Sequence, residues 1–312
     1  MKIAILGGGS WGSALAVHLA RKDNEVKIWE FFAEQAEEMQ EKRFCKLLPE
    51  ARLPENIFVS SMMEEVLPMS ELVLIVVPSD KVEITIDSAK RYLSNQPLII
   101  CSKGFANGKL LSDAIKEKVP NNIYCLYGPT HAEEVCKDML SGIVLAGPPS
   151  EERDKIKNVI HSHHLRVDLS DDLIGVQVSA ALKNILAVFI GFLDGKKMGD
   201  NTKAFVITKG LEEIKRIGNK LGAQEDTFCG LAGIGDIIVT CTSKHSRNRY
   251  FGEQIGKGRS ASDIIEEMSM IVEGVTALEK AIDLNVKLAL DLPLITGLYK
   301  IIFKSKSLDE VL

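Results

Sequence analysis

Extended apolar runs, a basic excess and paired cysteines are all scarce in this sequence, and each absence excludes a class of protein. The uninterrupted apolar run at 72–77 is far too short to cross a bilayer, so we expect no stable membrane insertion. A net charge of −5 disfavours bulk nucleic-acid binding, because that binding requires a basic surface. The six cysteines form no Cys-x-x-Cys pair, which predicts free thiols in a reducing, cytoplasmic compartment. No charged leader precedes the first strand, so we expect no signal peptide.

The length and the pattern of the chain predict two domains. A chain of 312 residues, with 46% hydrophobic and 26% charged residues, is globular in composition and long for a single core. Its first half alternates β-rich runs with amphipathic segments, which predicts an α/β fold with a Rossmann-like, doubly wound parallel sheet. After about residue 170 the strand signal fades and helical patterns dominate. We therefore predict an N-terminal α/β domain at 1–169 and an all-α domain at 170–312.

Individual elements follow from periodicity and from turn residues. The predicted strands are 2–6, 25–29, 72–77, 98–102, 124–126 and 142–146. The predicted helices are 10–22, 81–93, 109–118, 176–192, 202–221, 247–255, 273–284 and a last one with Pro293 near its first turn. The strand at 72–77 is apolar throughout, as expected for a strand buried on both faces.

A glycine-rich segment follows the first predicted strand and opens the first helix. Gly7, Gly9 and Gly12 fit the pattern G-x-G-x-x-G, where they permit a tight turn, a close approach of pyrophosphate and close packing of helix on strand. The N–H groups at the start of this helix would bind phosphate. Glu30 ends the second strand, where an acidic residue hydrogen-bonds the adenosine ribose. The alternative is a glycine-rich turn that binds nothing.

Lys183 and Asn184 interrupt a segment, 179–188, that is apolar on nearly every face and should form a buried helix. Burial disfavours the charged ammonium and lowers a lysine pKa, as a proton donor and acceptor near neutral pH requires. The alternative is a lysine whose stem packs while its head reaches water.

Two further groups in the second half are candidates for the same site. Asp236 follows a glycine-spaced apolar turn and would orient a lysine, unless it serves only as a helix cap. Ser246, Arg247 and Asn248 open a helical pattern and would bind a phosphate, because arginine supplies a forked, permanently charged donor. The alternative for this basic cluster, 243–249, is a solvated face.

Some segments admit a purely structural explanation. Thr130 and Glu133 fit a capping box at the start of a helix, although the N–H groups of that turn could face a ligand. Lys103 ends a strand in the half where open α/β sheets bind ligands, and its alternative is a surface lysine. The cluster of His161, His163 and His164 lacks neighbouring ligands at metal-binding spacing, so we predict surface histidines and no metal site.

Taken together, these motifs resemble the bacterial-type NAD(P)-dependent glycerol-3-phosphate dehydrogenase family over nearly the whole chain. The matching segments are Gly7-Gly8-Gly9-Ser10-Trp11-Gly12, Val77-Pro78-Ser79, Ser102-Lys103-Gly104, Gly128-Pro129-Thr130, Ala181-Leu182-Lys183-Asn184, Gly233-Ile234-Gly235-Asp236, Ser246-Arg247-Asn248-Arg249 and Val272-Glu273-Gly274. The resemblance implies a cytoplasmic homodimer that interconverts sn-glycerol 3-phosphate and dihydroxyacetone phosphate and supplies glycerol 3-phosphate for phospholipid synthesis.

The resemblance also implies the role of each residue. Lys183 would be the general acid and base of the reaction. The residues implied to bind the substrate are Lys103, Gly128, Thr130, Lys183, Asn184, Asp236, Ser246, Arg247 and Asn248. Those implied to bind the cofactor are Gly7, Gly9, Ser10, Trp11, Gly12, Glu30, Phe31, Lys103, Ala132, Arg247, Val272 and Glu273.

One departure from the bacterial pattern bears on the cofactor. Bacterial members often carry a basic residue after the tryptophan that ends the second strand, whereas Trp29 here is followed by Glu30 and Phe31. Phe31 resembles the phenylalanine of eukaryotic NAD-dependent relatives, which can lie against the adenine. Since Glu30 would repel a 2′-phosphate, we predict that NAD(H) is favoured and that NADP(H) is the alternative.

Two other functions remain open at this point. Another two-domain dehydrogenase, acting on a hydroxyacid or a hydroxyacyl thioester, would not need Ser246, Arg247 and Asn248 in this arrangement. A non-catalytic NAD(P)-sensing module would explain the first half but would leave Lys183 and Asp236 without a purpose.

Overall fold

The computed structural model describes residues 1–243, 246–268, 272–304 and 306–311. Lys244 and His245, in the predicted basic cluster, lie outside the described residues. The chain divides into two compact units, which we call unit 1 (1–173) and unit 2 (174–312). The boundary expected from the sequence, between residues 169 and 170, stays a prediction about independently folding domains.

Unit 1 is built on a parallel-dominated sheet. Its strands, with two short hairpins, are β1 (Lys2–Leu6), β2 (Glu25–Trp29), β3 (Phe44–Cys45), β4 (Leu48–Arg52), β5 (Ile57–Ser60), β6 (Leu72–Ile75), β7 (Leu98–Ile100), β8 (Phe105–Ala106), β9 (Lys109–Leu110), β10 (Ile123–Tyr127), β11 (Ser141–Ala146) and β12 (Leu165–Ser170). The main sheet has the order β12-β11-β10-β7-β6-β1-β2-β5, and every neighbouring pair in it is parallel except β10 with β11. The hairpins β3–β4 and β8–β9 are antiparallel.

Helices alternate with these strands. They are α1 (Ser10–Ala20), α2 (Ala33–Lys42), α3 (Met63–Val66), α4 (Val82–Ala89), α5 (Leu111–Lys116), α6 (Ala132–Val135) and α7 (Glu151–Ile160). The central strand β6 is buried at all four positions, which a strand covered on both faces requires. The predicted fold class, a Rossmann-like sheet followed by a helical domain, is confirmed.

Unit 2 is helical throughout its described residues. Its helices are α8 (Leu173–Gly195), whose first residue belongs to unit 1, α9 (Asp200–Leu221), α10 (Asp236–Thr242), α11 (Arg247–Gly256), α12 (Ala261–Met268), α13 (Glu273–Leu288) and α14 (Pro293–Lys304). Helix α8 is long and apolar enough to cross a membrane, but 89% of its most apolar window is buried inside the protein. It is therefore the core helix of this unit.

Two sequence-based predictions about local structure are wrong, and two strands of the main sheet were not predicted. The helix expected at 109–118 begins only at Leu111, because Lys109 and Leu110 pair with the preceding strand in the hairpin β8–β9. The capping box at Thr130 does not form, since α6 begins at Ala132 and the Thr130 hydroxyl donates to the Gly128 carbonyl at 3.2 Å. Strands β5 and β12 were not expected and complete the two edges of the sheet.

Candidate active site

The predicted ligand-binding residues of unit 1 follow the carboxyl ends of parallel strands. Gly7 follows β1, Glu30 follows β2, Lys103 lies just beyond β7 and Gly128 follows β10. Because these strands run in the same direction, their carboxyl ends lie together at one end of the sheet. Open α/β sheets bind their ligands at the carboxyl ends of their strands.

The glycine-rich loop between β1 and α1 has the shape that a pyrophosphate needs. Gly7 adopts φ +122°, and a Cβ there would lie 2.9 Å from the Val76 carbonyl carbon. A Cβ on Gly12 would lie 2.0 Å from the Gly7 carbonyl oxygen, whereas one on Gly9 would meet nothing within 4 Å. No side chain caps the N-terminus of α1 at Gly9, so its first-turn N–H groups suit a phosphate. Residues of this loop therefore fit a dinucleotide.

The carboxylate of Glu30 is buried beside this loop. One of its oxygens accepts a hydrogen bond from the Gly8 N–H and the other from the Phe32 N–H, each at 3.1 Å. Each oxygen retains a further lone pair for a ribose hydroxyl. Phe31 is 69% exposed and meets the rings of Trp29 and Phe32 edge to face. The Glu30 carboxylate thus links the glycine-rich loop to the residues that follow the second strand.

The segment that bears Lys103 is held from two sides. The buried Tyr127 hydroxyl donates to the Ser102 carbonyl at 2.5 Å, and the Ser102 hydroxyl donates to the Val77 carbonyl at 2.5 Å. Burial raises the pKa of Tyr127 well above its usual value, so the phenol remains a donor. Tyr127 is not among the residues predicted from the sequence, and its only signal there is its position at the end of a strand beside Gly128.

Three other predicted residues of unit 1 lie close to the loop or to β10. Trp11 is partly buried and packs against the core of unit 1. Gly128 allows close backbone packing, because a Cβ there would lie 2.8 Å from the Gly142 carbonyl oxygen. Ala132 is the buried first residue of α6. Their contact with a ligand stays a prediction.

In unit 2, the Lys183 amine is buried and makes an ion pair with a carboxylate. Lys183 is only 4% exposed, and its Nζ donates to Oδ1 of Asp236 and to the Thr240 hydroxyl, the latter at 2.8 Å. Asp236 is 1% exposed. The alternative of a lysine whose head reaches water is therefore wrong. A neighbouring carboxylate favours the ammonium form, which offsets the desolvation that disfavours it.

Helix α10 places the two partners of Lys183 on one face. Asp236 and Thr240 are four residues apart, a spacing that aligns side chains along a helix. The Thr240 hydroxyl also donates to the Asp236 carbonyl at 2.6 Å. Burial raises the pKa of the nearby Cys241 thiol to about 12, although Lys183 acts against this, so the thiol stays protonated. Thr240 was missed from the sequence, and its spacing from Asp236 is the signal that would find it.

Two asparagines connect the helices around this pair. The Asn184 amide donates to the Glu273 carboxylate at 2.9 Å, which joins α8 to the start of α13. The Asn248 carbonyl oxygen accepts the Gly274 N–H at 2.8 Å. Because this bond fixes the orientation of the Asn248 amide, its NH₂ group is directed away from Gly274 and can donate to a ligand.

The N-terminus of α11 brings the predicted phosphate ligands together. Ser246 is the N-cap, and its hydroxyl accepts the Arg249 N–H at 3.3 Å. Arg247 occupies the first helical position and is exposed, with Asn248 next to it. The positive end of the α11 dipole, the Arg247 guanidinium and the Asn248 amide therefore lie at the same helix end, an arrangement that is typical of anion-binding sites. Val272, also predicted at the cofactor, precedes α13 as its buried N-cap residue.

The histidine cluster serves the structure of unit 1. His161 accepts the Val167 N–H through Nδ1 at 3.1 Å, and the rings of His163 and His164 meet edge to face. Within 1–243, 246–268, 272–304 and 306–311, no group of three His, Cys, Asp or Glu side chains is placed to hold a metal ion.

A parallel sheet whose glycine loop has the shape that a pyrophosphate needs, with a buried lysine–aspartate pair in a helical unit, is typical of one class, the two-domain NAD(P)-dependent dehydrogenases. Two family descriptions match the sequence: the N-terminus of NAD-dependent glycerol-3-phosphate dehydrogenase over residues 2–153, and its C-terminus over residues 172–312. The chain belongs to the NAD-dependent glycerol-3-phosphate dehydrogenase family.

Relatives and solved structures agree with this family. The chain is 37% identical to a glycerol-3-phosphate dehydrogenase (NAD(P)+) of Chlorobium chlorochromatii, over 98% of this chain and 94% of that protein. It is 41% identical to the enzyme of that name from Clostridium tetani, over 97% and 88%. The crystal structure of glycerol-3-phosphate dehydrogenase from Coxiella burnetii matches with a TM-score of 0.94 at 32% identity, over 99% and 96% of the two chains.

Proposed function

We propose that Lys183 is the general acid and base in the reaction of this family. The protein is an NAD(P)-dependent oxidoreductase that interconverts sn-glycerol 3-phosphate and dihydroxyacetone phosphate. The observation that carries the proposal is the burial of the Lys183 amine between the Asp236 carboxylate and the Thr240 hydroxyl. An amine fixed in this way presents its proton in one direction, which general acid–base catalysis requires.

The chemistry divides between the cofactor and the protein. Bound NAD(P)(H) supplies or accepts the hydride at C2 of the substrate. Reduction of the ketone develops negative charge on the C2 oxygen, and we infer that Lys183 Nζ donates a proton to that oxygen. In the oxidative direction the same amine accepts the hydroxyl proton. Asp236 and Thr240 hold the amine in place and stabilise its charged form.

The remaining predicted residues of unit 2 would bind the polar ends of the ligands. The exposed Arg247 guanidinium and the Asn248 amide, at the N-terminus of α11, would hold the substrate phosphate. Phosphate binding far from the reacting carbon can lower the barrier as well as the KM. Asn184 and Glu273, which hydrogen-bond each other, would place the start of α13 against the cofactor and the substrate.

The proposed reaction is tested by NADH oxidation on addition of dihydroxyacetone phosphate, compared with plain dihydroxyacetone, a 2-oxoacid and a 3-oxoacyl thioester. We expect turnover with dihydroxyacetone phosphate and a strong preference for it over dihydroxyacetone. Faster turnover of the 2-oxoacid or the thioester, or cofactor binding without turnover of any ketone, would contradict the proposal.

We also propose a preference for NADH over NADPH. The Glu30 carboxylate is fixed beside the glycine loop by two backbone N–H groups, and Phe31 and Phe32 follow it where a cation would be needed to bind a 2′-phosphate. Two negative charges about 4 Å apart repel by about 1–4 kcal/mol, depending on exposure to solvent. The expected preference for NADH in kcat/KM is therefore about fivefold or more.

Steady-state rates with both cofactors measure this preference in the wild-type protein and in Glu30→Gln. The substitution removes the charge and keeps an oxygen that can accept a backbone N–H, so the preference for NADH should shrink. Glu34→Gln, at an exposed position in the first turn of α2, is the matched control and should leave the ratio unchanged. A wild-type advantage for NADPH would overturn the proposed preference.

The proposal also covers the cellular compartment, the oligomeric state and the metabolic role of the protein. The free cysteines, five of them buried, suit a reducing cytoplasm. Family resemblance supports a homodimer and a role in supplying glycerol 3-phosphate for phospholipid synthesis. Light scattering of the purified protein checks the dimer, and rescue of growth by added glycerol 3-phosphate in a strain that lacks the protein checks the role.

A further inference from the structure

Arg249 lies two residues after Arg247 on α11 but makes different contacts. Its Nε donates to Oδ2 of Asp194 at 2.7 Å, and its Nη1 donates to the Thr242 carbonyl at 3.1 Å and lies 3.5 Å from the Ser243 carbonyl. Its side chain is 27% exposed and that of Asp194 14%. The guanidinium is therefore engaged by the protein, at the C-terminal end of the helix that bears Asp236.

Asp194 orients this guanidinium from the far end of α8. Its second oxygen makes an ion pair with Lys203 of α9 at 2.6 Å. Burial alone would raise the pKa of Asp194, but the hydrogen bonds from Lys203 and Arg249 outweigh it and hold the pKa below its usual value. The carboxylate thus stays charged at neutral pH and anchors Arg249 to the helix that carries Lys183.

We propose that Arg249 is a positioning residue, which fixes the N-terminus of α11 against the C-terminus of α10 so that Arg247 and Asn248 meet the substrate phosphate. The inference rests on the proposed function, since it requires a phosphate at the start of α11. Its physical basis is that the carbonyls at the end of α10 lack helical partners and accept the charged guanidinium. One side chain thereby couples the helix of Asp236 to the helix of Arg247.

The position of α11 matters because binding depends steeply on distance. A ligand group displaced by about 1 Å can cost on the order of 100-fold in rate. Loss of Arg249 should therefore act on phosphate recognition, leaving intact the Lys183–Asp236 contact, which the guanidinium does not touch. The expected effect is a kcat/KM for dihydroxyacetone phosphate that falls about 10- to 100-fold.

The test compares Arg249→Met, Arg249→Lys and Asp194→Asn with the wild-type protein. The readout is the ratio of kcat/KM for dihydroxyacetone phosphate to that for dihydroxyacetone, which does not depend on the folded fraction. We expect the ratio to fall about tenfold or more in Arg249→Met and in Asp194→Asn, with partial recovery in Arg249→Lys. Lys203→Met is the matched control, because it removes the other ion pair of Asp194 and leaves the α10 contact, so its ratio should stay within about twofold of wild type.

The outcomes separate this inference from the proposed function. A wild-type protein without a preference for dihydroxyacetone phosphate would overturn the proposed function itself. A wild-type ratio retained in Arg249→Met would overturn the positioning role alone. If Arg249→Met lowers the ratio while Asp194→Asn leaves it unchanged, the part assigned to Asp194 is wrong, and the contacts of the guanidinium with the α10 carbonyls suffice to position α11.

Discussion

At the scale of single residues, Lys183 and Asp236 form a buried ion pair in unit 2. Both side chains are almost completely removed from solvent, so each depends on the other for charge compensation. Removal of one partner from such a pair typically costs about 3–5 kcal/mol, whereas replacement of both by uncharged groups is often neutral. The effect on stability can therefore be separated from the effect on catalysis by comparing the substitution of Lys183 alone with the substitution of Lys183 and Asp236 together.

The first residue-scale prediction concerns Arg247. Arg247→Ala should remove much of the discrimination between dihydroxyacetone phosphate and dihydroxyacetone, because the side chain is exposed at the N-terminus of α11, where we propose that it pairs with the substrate phosphate. A charge-assisted bond of about 1.5–3 kcal/mol corresponds to about 10- to 150-fold in kcat/KM. Lys257→Ala, at the exposed C-terminal end of the same helix, is the control. Unchanged discrimination in Arg247→Ala would point to another phosphate clamp.

The second residue-scale prediction concerns Tyr127. Tyr127→Phe removes the hydroxyl that donates to the buried Ser102 carbonyl, at a cost of about 1–3 kcal/mol in the free energy of unfolding. Because Ser102 precedes Lys103, kcat should fall as well. Tyr92→Phe, which removes a hydrogen bond on the surface, should change the stability by less than about 0.5 kcal/mol. Equal urea midpoints for the two variants would show that the hydrogen bond from Tyr127 to the Ser102 carbonyl does not stabilise the protein.

At the scale of elements, helices α8 and α11 touch through their backbones. A Cβ on Gly191 would lie 1.9 Å from the Arg249 carbonyl oxygen, and one on Gly252 would lie 1.9 Å from the Val188 carbonyl oxygen. Gly195 and Gly256 repeat the pattern one turn further on. Glycine on both helices therefore sets the separation between the helix of Lys183 and the helix of Arg247.

Gly252→Ala tests this contact. The added methyl group would force two helices apart, and overpacking of this kind typically costs about 1–3 kcal/mol in the free energy of unfolding. We expect a lower melting temperature and a higher KM for dihydroxyacetone phosphate. Gly199→Ser is the control, since a Cβ meets nothing within 4 Å there and serine suits the N-cap that Gly199 occupies. A Gly252→Ala protein as stable as wild type would show that the helices can move apart freely.

At the scale of the whole molecule, the sequence predicted the fold class and the long elements well. Strands β1 and β2 have the predicted bounds, because β1 is apolar after Lys2 and ends before Gly7, whereas β2 alternates charged and apolar residues and ends before the acidic Glu30. The edge strand β12 was missed since its exposed positions carry Arg166 and Asp168, which weaken the apolar signal. The hairpin that contains Lys109 was missed because its two-residue strands are shorter than any usable period.

The candidate active site was also predicted only in part from the sequence. Lys183 and Asp236 were expected to pair from the chemistry of their motifs, although 53 residues separate them. The contacts of Tyr127 and Arg249 were not predicted, because each is a tertiary contact that leaves no periodic trace in the sequence. Thr240 was also missed, although its spacing of four residues from Asp236 places both side chains on one helix face. Residue type indicates which chemistry is available, and only the fold decides which groups meet.

The buried His18 of unit 1 should make the stability of the protein depend on pH. Burial lowers the pKa of His18 from its ordinary 6.5, against the opposing effect of its hydrogen bond with the Ile160 carbonyl. The unfolded chain therefore binds the proton more readily, so this contribution to stability is present above pH 6.5 and is lost as the pH falls towards the folded pKa. The urea midpoint should drop between pH 7.5 and pH 5.5, and by less in His18→Gln. The same drop in both proteins would exclude His18 as its source.

The central claim, that Lys183 transfers the proton, is tested most directly by kcat for Lys183→Met and for the double variant Lys183→Met with Asp236→Asn. The double variant removes both charges and should unfold at a higher temperature than the single one. If Lys183 transfers the proton, kcat for dihydroxyacetone phosphate falls by about 10²–10⁴-fold in both proteins. A folded double variant with kcat near the wild-type value would contradict the claim.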